Sequence, residues 1–358
     1  MKRKKKNIWK IIIITFAILA VLSGIGLGIL LYGPNSGFRD WFITVSMRSM
    51  THQWIAKTFY SDEEIEQVMK NNRVEEIDEA IDVASIKTKE TEQPKQKQEE
   101  YENVYERQIF AKNLDKEIYN IYADEEEYRI IRIKGNGYTG YLAIIYDPSK
   151  VKTMVTSQLG VTGEYLTKMA KDNNALVAVN GGRFFDSDRH GSGADPRGIT
   201  FSNGICKSTY EYKFAGGIVG FNKDNVLVLS STATKANAQK LNIRDCVCCG
   251  PFLIVNGKAS KIYGNGGWGT APRTAIGQRK DGIVLMAVMD GRIIGRPGAG
   301  MNDIIELMQN YGAYNAANLD GGTSTAMAVN GEIISDPVDA SGTHRTRPIA
   351  TAFGLIDK

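Results

Sequence analysis

The sequence predicts an α+β protein: a strand-rich, mixed-sheet domain with a few helices, preceded by an N-terminal transmembrane helix. Three observations lead there. Residues 11–32 carry no charge and are largely apolar. From about residue 101, short apolar runs alternate with turn signals. Only two later stretches, 162–171 and 302–311, repeat their apolar residues at helical spacing.

At a rise of 1.5 Å per residue, the 11–32 run spans roughly 33 Å, enough for a hydrocarbon core of about 30 Å. Lys2, Arg3, Lys4, Lys5, Lys6 and Lys10 precede it, so residues 1–10 read as a basic cytoplasmic tail and 11–32 as the anchor. A cleaved signal peptide shares both features, but this run exceeds a typical apolar signal region and no A-x-A-like site follows. The expectation is a single-pass cell-membrane protein with everything after Tyr32 extracytoplasmic. Of the formal charge of +4, those six residues supply the excess; without them 38 basic face 40 acidic side chains, a net of −2. A near-neutral folded part argues against a nucleic-acid partner.

Residues 33–86 form an expected juxtamembrane helical segment. Trp41, Phe42, Met47, Trp54, Ile55 and Phe59 mark either a helix near the membrane surface or an ordinary packed helix. Ser61 before Asp62, Glu63 and Glu64 reads as the cap of a short helix running towards Asn71. Residues 87–100, KTKETEQPKQKQEE, cannot bury a core and read as a solvated linker.

In the 101–358 domain, Asn203-Gly204, Asn256-Gly257, Asp281-Gly282 and Asn330-Gly331 each sit between strand-like segments as hairpin turns. In the 302–311 helix Asn302 caps, Ile304, Ile305, Leu307, Met308 and Tyr311 form the stripe, and Gly312 terminates. Cys206, Cys246, Cys248 and Cys249 lie on the outer side, where disulfides are permitted. The C-x-C-C spacing is no zinc pattern; buried thiols, or one bridge from Cys206 to the cluster, are both compatible.

Two segments share a design. ALVAVNGG at 175–182 and AANLDGG at 316–322 are small-residue strands ending in a polar side chain and two glycines. Such strands project Asn180 and Asp320 at a sheet edge, where they can meet at one pocket. Gly181, Gly182, Gly321 and Gly322 would let the chain turn and a ligand approach its N–H groups. The remaining Gly pairs are simple turns.

These residues carry a resemblance. VNGGRFFD at 179–186, APRTAIG at 271–277, MDGR at 289–292 and NLDGGTST at 318–325 resemble, in order and spacing, the successive motifs of the phosphodiester glycosidases. The resemblance runs from about residue 105 to the C-terminus. The family pattern N-G-G-[FY]-F is departed from here, where Arg183 precedes Phe184. It implies hydrolysis of a sugar-1-phosphodiester, in bacteria usually within envelope or exopolysaccharide glycans.

Such a substrate carries a fixed negative charge and calls for arginine, whose planar fork grips two oxygens. Arg273 is the leading candidate, with Arg345, Arg347, Arg183 and Arg197 behind it. Breaking the C1–O bond develops positive charge at C1, so a carboxylate should face it. Asp320 is first choice, Asp290 second and Asp186 third. Phosphate is a weakly basic leaving group, so demand for a strong general acid is low; His190 and His344 could assist on loops beside these motifs. No cofactor and no metal ligand set is assigned. A non-catalytic binder of anionic envelope glycans and a metal-dependent phosphodiesterase, holding an ion through Asp290, Asp320 and His344, are the rival readings. G-x-S-x-G around Ser324, the P-loop and H-E-x-x-H are absent from the sequence.

Overall fold

The computed structural model describes residues 2–48, 52–88, 101–185, 192–210 and 216–357. The chain forms two compact units. One comprises Met1–Arg73 with Tyr263–Gly269, the other Val74–Ile262 with Thr270–Lys358.

In the first unit, helix Lys2–Tyr32 contains an apolar stretch, Trp9–Tyr32, of mean hydropathy 2.6 with none of its most apolar window buried. It is the one helix among the described residues long and apolar enough to cross a membrane. The aromatic segment after it divides into Ser36–Arg48 and Gln53–Phe59. Ile43, Ala56 and Tyr60 pack with Leu31, Ile65 and Val68, while Trp41 and Trp54 stay exposed. The Ser61 cap forms as expected: Glu64 N donates to Ser61 Oγ (3.2 Å) and Ser61 N to Glu64 Oε2 (2.9 Å), opening helix Asp62–Asn71.

The second unit is built on antiparallel sheets. Among the described residues, eight strands form the largest, with Ala313–Asn318, Arg273–Arg279, Val284–Asp290 and Tyr138–Ile145 adjacent at its centre. A five-stranded sheet pairs Ala175–Asn180 with Met327–Val329 on one side and Thr351–Ile356 on the other. A second five-stranded sheet centres on Ile243–Cys249. All three bury one face in a shared core, contributed by Val177, Val179 and Phe353, by Val219, Phe221 and Val247, and by Ile276, Met286 and Ala317. The α+β class is as expected from the sequence, and every neighbouring pair in these three sheets is antiparallel.

Asn203-Gly204, Asn256-Gly257 and Asn330-Gly331 place both residues at positive φ, as two-residue hairpins require. At Asp281-Gly282 only Gly282 does. The 302–311 helix runs Met301–Asn310; its cap is Gly300, whose N–H donates to Asp303 Oδ2 (2.7 Å), and Gly312 ends it at φ 74°. The 162–171 helix starts later, at Leu166, because Glu164 is bridged to Ile349.

The four cysteines are free thiols. Cys206 and Cys246 both register with Phe201 from opposite sides, two strand spacings or about 10 Å apart. That exceeds disulfide reach, so a bridge from Cys206 to the cluster does not form. Burial pushes Cys248 up to about 12 and Cys249 to about 11.

Candidate active site

The antiparallel register brings the end of Val284–Asp290, the start of Arg273–Arg279 and the turn after Ala313–Asn318 to one end of the large sheet. The end of Ala175–Asn180 joins them from the neighbouring sheet. Asn180 Nδ2 donates to the backbone carbonyl of Asp320 (2.7 Å), and Asp320 N donates to Gly181 O (3.1 Å). Asn180 and Asp320 therefore do meet, through the backbone of Asp320. Asn180 Oδ1 accepts from Thr274 Oγ1 (2.6 Å) and Ala326 N (3.2 Å), and the residue is 1% exposed. With both ends of its amide engaged, Asn180 is a clamp that positions the Asp320 turn.

The doubled glycines serve close packing. Gly181 N donates to Thr351 O (2.9 Å) and Gly182 N to Thr351 Oγ1 (3.1 Å). A Cβ on Gly181 would lie 2.7 Å from Thr351 Oγ1, and one on Gly182 would lie 2.8 Å from Cys248 O. The expected ligand approach to these N–H groups is thus replaced by an approach of neighbouring strands. Gly322, at φ 65°, donates its N–H to Pro272 O (2.8 Å). A side chain there would meet Arg292 Nη2 at 2.7 Å, and one on Gly321 would meet Pro272 O at 2.9 Å and Arg273 Nη1 at 3.7 Å. At Gly322 the missing side chain makes room for the Arg292 guanidinium, and at Gly321 for the Pro272 carbonyl.

Asp320 lies half-buried at this convergence. Burial pushes its carboxyl above the usual range, while the Ser324 side chain, Arg347, Arg183 and the Gly321 N–H pull it back down. Arg292 is also within its field and has its own charge disfavoured by burial. Arg292 donates to Thr323 Oγ1 (2.7 Å) and Val338 O (3.3 Å). Arg347 lies over the Phe184 ring at 4.6 Å, and Arg183 Nη2 donates to Gly250 O (3.0 Å). Arg273 is buried and donates from Nε to Ala299 O (3.2 Å). Sequence reasoning passed over Arg292; its signal was the MDGR motif, where it holds an uncommon φ of 62° for a non-glycine residue.

Other candidates lie apart from this set or outside it. Asp290, 3% exposed, accepts from Asp336 N (3.0 Å); burial pushes it up to about 6. Asp336 in turn pairs with Arg296 (2.6 Å) and with His344 Nδ1 (2.5 Å). Arg345 pairs with Asp339 (2.6 Å) and stays largely exposed. Arg197 sits over Phe185 at 5.6 Å. Asp186 and His190 lie outside the described residues. Among the described residues, no three His, Cys, Asp or Glu side chains gather as a metal-binding group, so Asp290, Asp320 and His344 do not form the cluster a metal-dependent reading needs. A carboxylate facing arginines suits a ligand that carries a fixed anion beside a developing cation.

The profile of the phosphodiester glycosidases matches residues 173–356, and the chain belongs to that family. It is 28% identical over 203 residues to the SPbeta prophage-derived uncharacterized protein YomE of Bacillus subtilis (strain 168), a stretch covering 54% of this chain and 30% of that relative. The chain thus spans under a third of the curated relative's length. The fold is shared with the catalytic domain of zebrafish N-acetylglucosamine-1-phosphodiester alpha-N-acetylglucosaminidase, a structure auto-inhibited by its pro-peptide. That likeness has a TM-score of 0.54 at 21% identity, over 65% of this chain and 83% of that one.

Proposed function

We propose that the chain is a membrane-anchored, extracytoplasmic hydrolase that cleaves sugar-1-phosphodiester linkages in envelope or exopolysaccharide glycans. The observation that carries this reading is Asp320 set against Arg183, Arg292 and Arg347, with Arg273 beside Gly321. In this reading the arginines bind the non-bridging phosphate oxygens, and Asp320 faces the anomeric carbon. As the C1–O bond breaks, its electron pair leaves with the phosphate and the Asp320 carboxylate stabilises the positive charge at C1. Water then adds to C1 and yields the free sugar, its proton passing to solvent. The leaving phosphate needs little protonation, which fits a site richer in arginines than in acids. Asn180 acts by holding the Asp320 turn.

Topology follows from the N-terminus: residues 1–10 inside, 11–32 across the membrane, and the 101–358 domain outside. Protease added to intact cells should remove the domain; a domain protected there would contradict this placement. The chemistry is tested by hydrolysing a methyl diester of N-acetylglucosamine 1-phosphate in ¹⁸O water. Label in the free sugar is expected; label in phosphate would mean P–O cleavage, and no product would favour a glycan-binding role.

A further inference from the structure

The stretch 74–88, read from the sequence as the end of the juxtamembrane helical segment and the start of the linker, is fastened within the large unit along its length. Ile77 and Ile81 pack against the shared core. Asp82 N donates to Asn256 Oδ1 (2.8 Å), Asn256 Nδ2 to Ala80 O (2.9 Å), and Lys87 N to Lys280 O (2.8 Å). Of its five acids, Asp78 accepts from Ser231 Oγ (2.7 Å), Glu79 pairs with Lys258 (2.9 Å), and Asp82 accepts from Ser85 Oγ (2.5 Å).

Glu76 reaches further into the large unit. Its Oε2 accepts from Phe252 N (2.9 Å) and lies 4.0 Å from where a Cβ on Gly250 would stand. Gly250 is the residue whose carbonyl receives Arg183 Nη2 and Asn318 Nδ2 (3.1 Å). Arg183 acts electrostatically on both Glu76 and Asp320. Glu76 lies outside the 173–356 family match, so the family pattern assigns it nothing.

We propose that Glu76 is a positioning residue: its carboxylate, delivered beside Gly250 by the 74–88 strap, partly neutralises Arg183 where that arginine faces Asp320. This rests on the glycosidase reading for its kinetic consequence, not for the pair itself. The charged and titratable groups facing Glu76 are Arg183 and Asp78, with the Phe252 N–H; burial raises its carboxyl while Arg183 opposes that. Those facing Asp320 are Arg347, Arg183, Arg292 and the Cys249 thiol, with Ser324 and the Gly321 N–H. Removing the charge of Glu76 leaves the field of Arg183 at Asp320 less compensated, so Asp320 stays ionised to lower pH.

The test uses the full chain in detergent with Glu76→Gln, Arg183→Gln and the double variant. Glutamine keeps a carbonyl acceptor for the Phe252 N–H, which separates charge from capping. Denaturant unfolding followed by circular dichroism should give a non-additive cycle, about twofold or more in the unfolding constant. The acid limb of kcat/KM on the methyl diester should move to lower pH in Glu76→Gln. At a pH on that limb, the variant should retain about threefold more of its plateau activity than wild type. An additive cycle overturns the pairing whatever the activity, and a coupled cycle with an unmoved limb and unchanged KM reduces Glu76 to a structural contact. If wild type does not turn over the diester, the glycosidase reading falls. The same cycle read on inorganic-phosphate affinity then decides: coupling supports the positioning role and additivity overturns it.

Discussion

Asp290 and Asp320 occupy the same end of the large sheet, and burial pushes both carboxyls up. Their surroundings differ in where the arginines are committed. Beside Asp290, Arg296 is tied to Asp336, which also takes His344, so the local cation already has its acid. Around Asp320, Arg347 lies over Phe184, Arg183 donates to a carbonyl and Arg292 to Thr323 and Val338. The two carboxyls thus share a sheet end but not a setting: the arginine beside Asp290 is paired with Asp336, whereas Arg347 and Arg183 act on Asp320 itself.

The largest expected effect breaks the comparison at Asp320. Asp320→Asn preserves size and removes the charge that matters only as C1 becomes positive, so kcat on the methyl diester should fall about 10³-fold with KM little changed. A folded variant with near-normal turnover would leave Asp320 as a turn residue. Next, Asn180→Ala strands Thr274 Oγ1, Ala326 N and the Asp320 carbonyl in a buried setting. It should cost about 3 kcal/mol of stability, measured by denaturant unfolding, and lower kcat through the displaced turn.

Asp290 sharpens the other half. Folded, it keeps its proton up to about 6, against an ordinary 3.8. Folding therefore takes up a proton between those values, so stability is fullest below about pH 4 and is lost as pH rises through 6. Asn at 290 cannot ionise and still accepts from Asp336 N. Asp290→Asn should thus be more stable than wild type at pH 7, by about 3 kcal/mol, with the difference vanishing towards pH 4. A pH-independent difference would mean that Asp290 titrates normally.

What the sequence disclosed about this site tracks how local the cause was. Three Asn-Gly hairpins, the Ser61 cap and the Gly312 stop rest on one or two residues' backbone preferences, and they form as read. The meeting of Asn180 and Asp320 was legible because two strand ends carried the same small-residue, polar, Gly-Gly signature. The purpose of the glycines was not: whether Thr351 or a ligand fills the space over Gly181 depends on a strand 170 positions away. The strap escaped notice for the same reason. Residues 74–86 read as part of the juxtamembrane helical segment, and only the fold supplies Ser231, Asn256, Lys258 and Phe252 as partners. Cys206 and Cys246 were compatible with a bridge until register set a strand between them.

The smallest effect is expected at Arg345, and it tests whether arginines near the motif are interchangeable. Arg345 and Arg347 are two residues apart, but Arg345 donates to Asp339 with its side chain 67% exposed, whereas Arg347 lies over Phe184 within the field of Asp320. Asp339 is held well below the usual carboxylate range, first by the Ser341 hydroxyl and the Thr343 N–H, and only later by Arg345. Removing Arg345 therefore leaves Asp339 still hydrogen-bonded and the loop still ordered. With its cation in solvent and its carboxylate already satisfied by the loop, this ion pair contributes little. Arg345→Ala should change KM on the diester by less than about threefold, while Arg347→Lys, which loses the planar fork and the ring contact, should raise it about tenfold. Measuring both under one buffer and salt condition makes the ratio the observable. Equal effects would mean that the site reads net charge alone, and the distinction between arginines held at Asp320 and arginines paired elsewhere would fail.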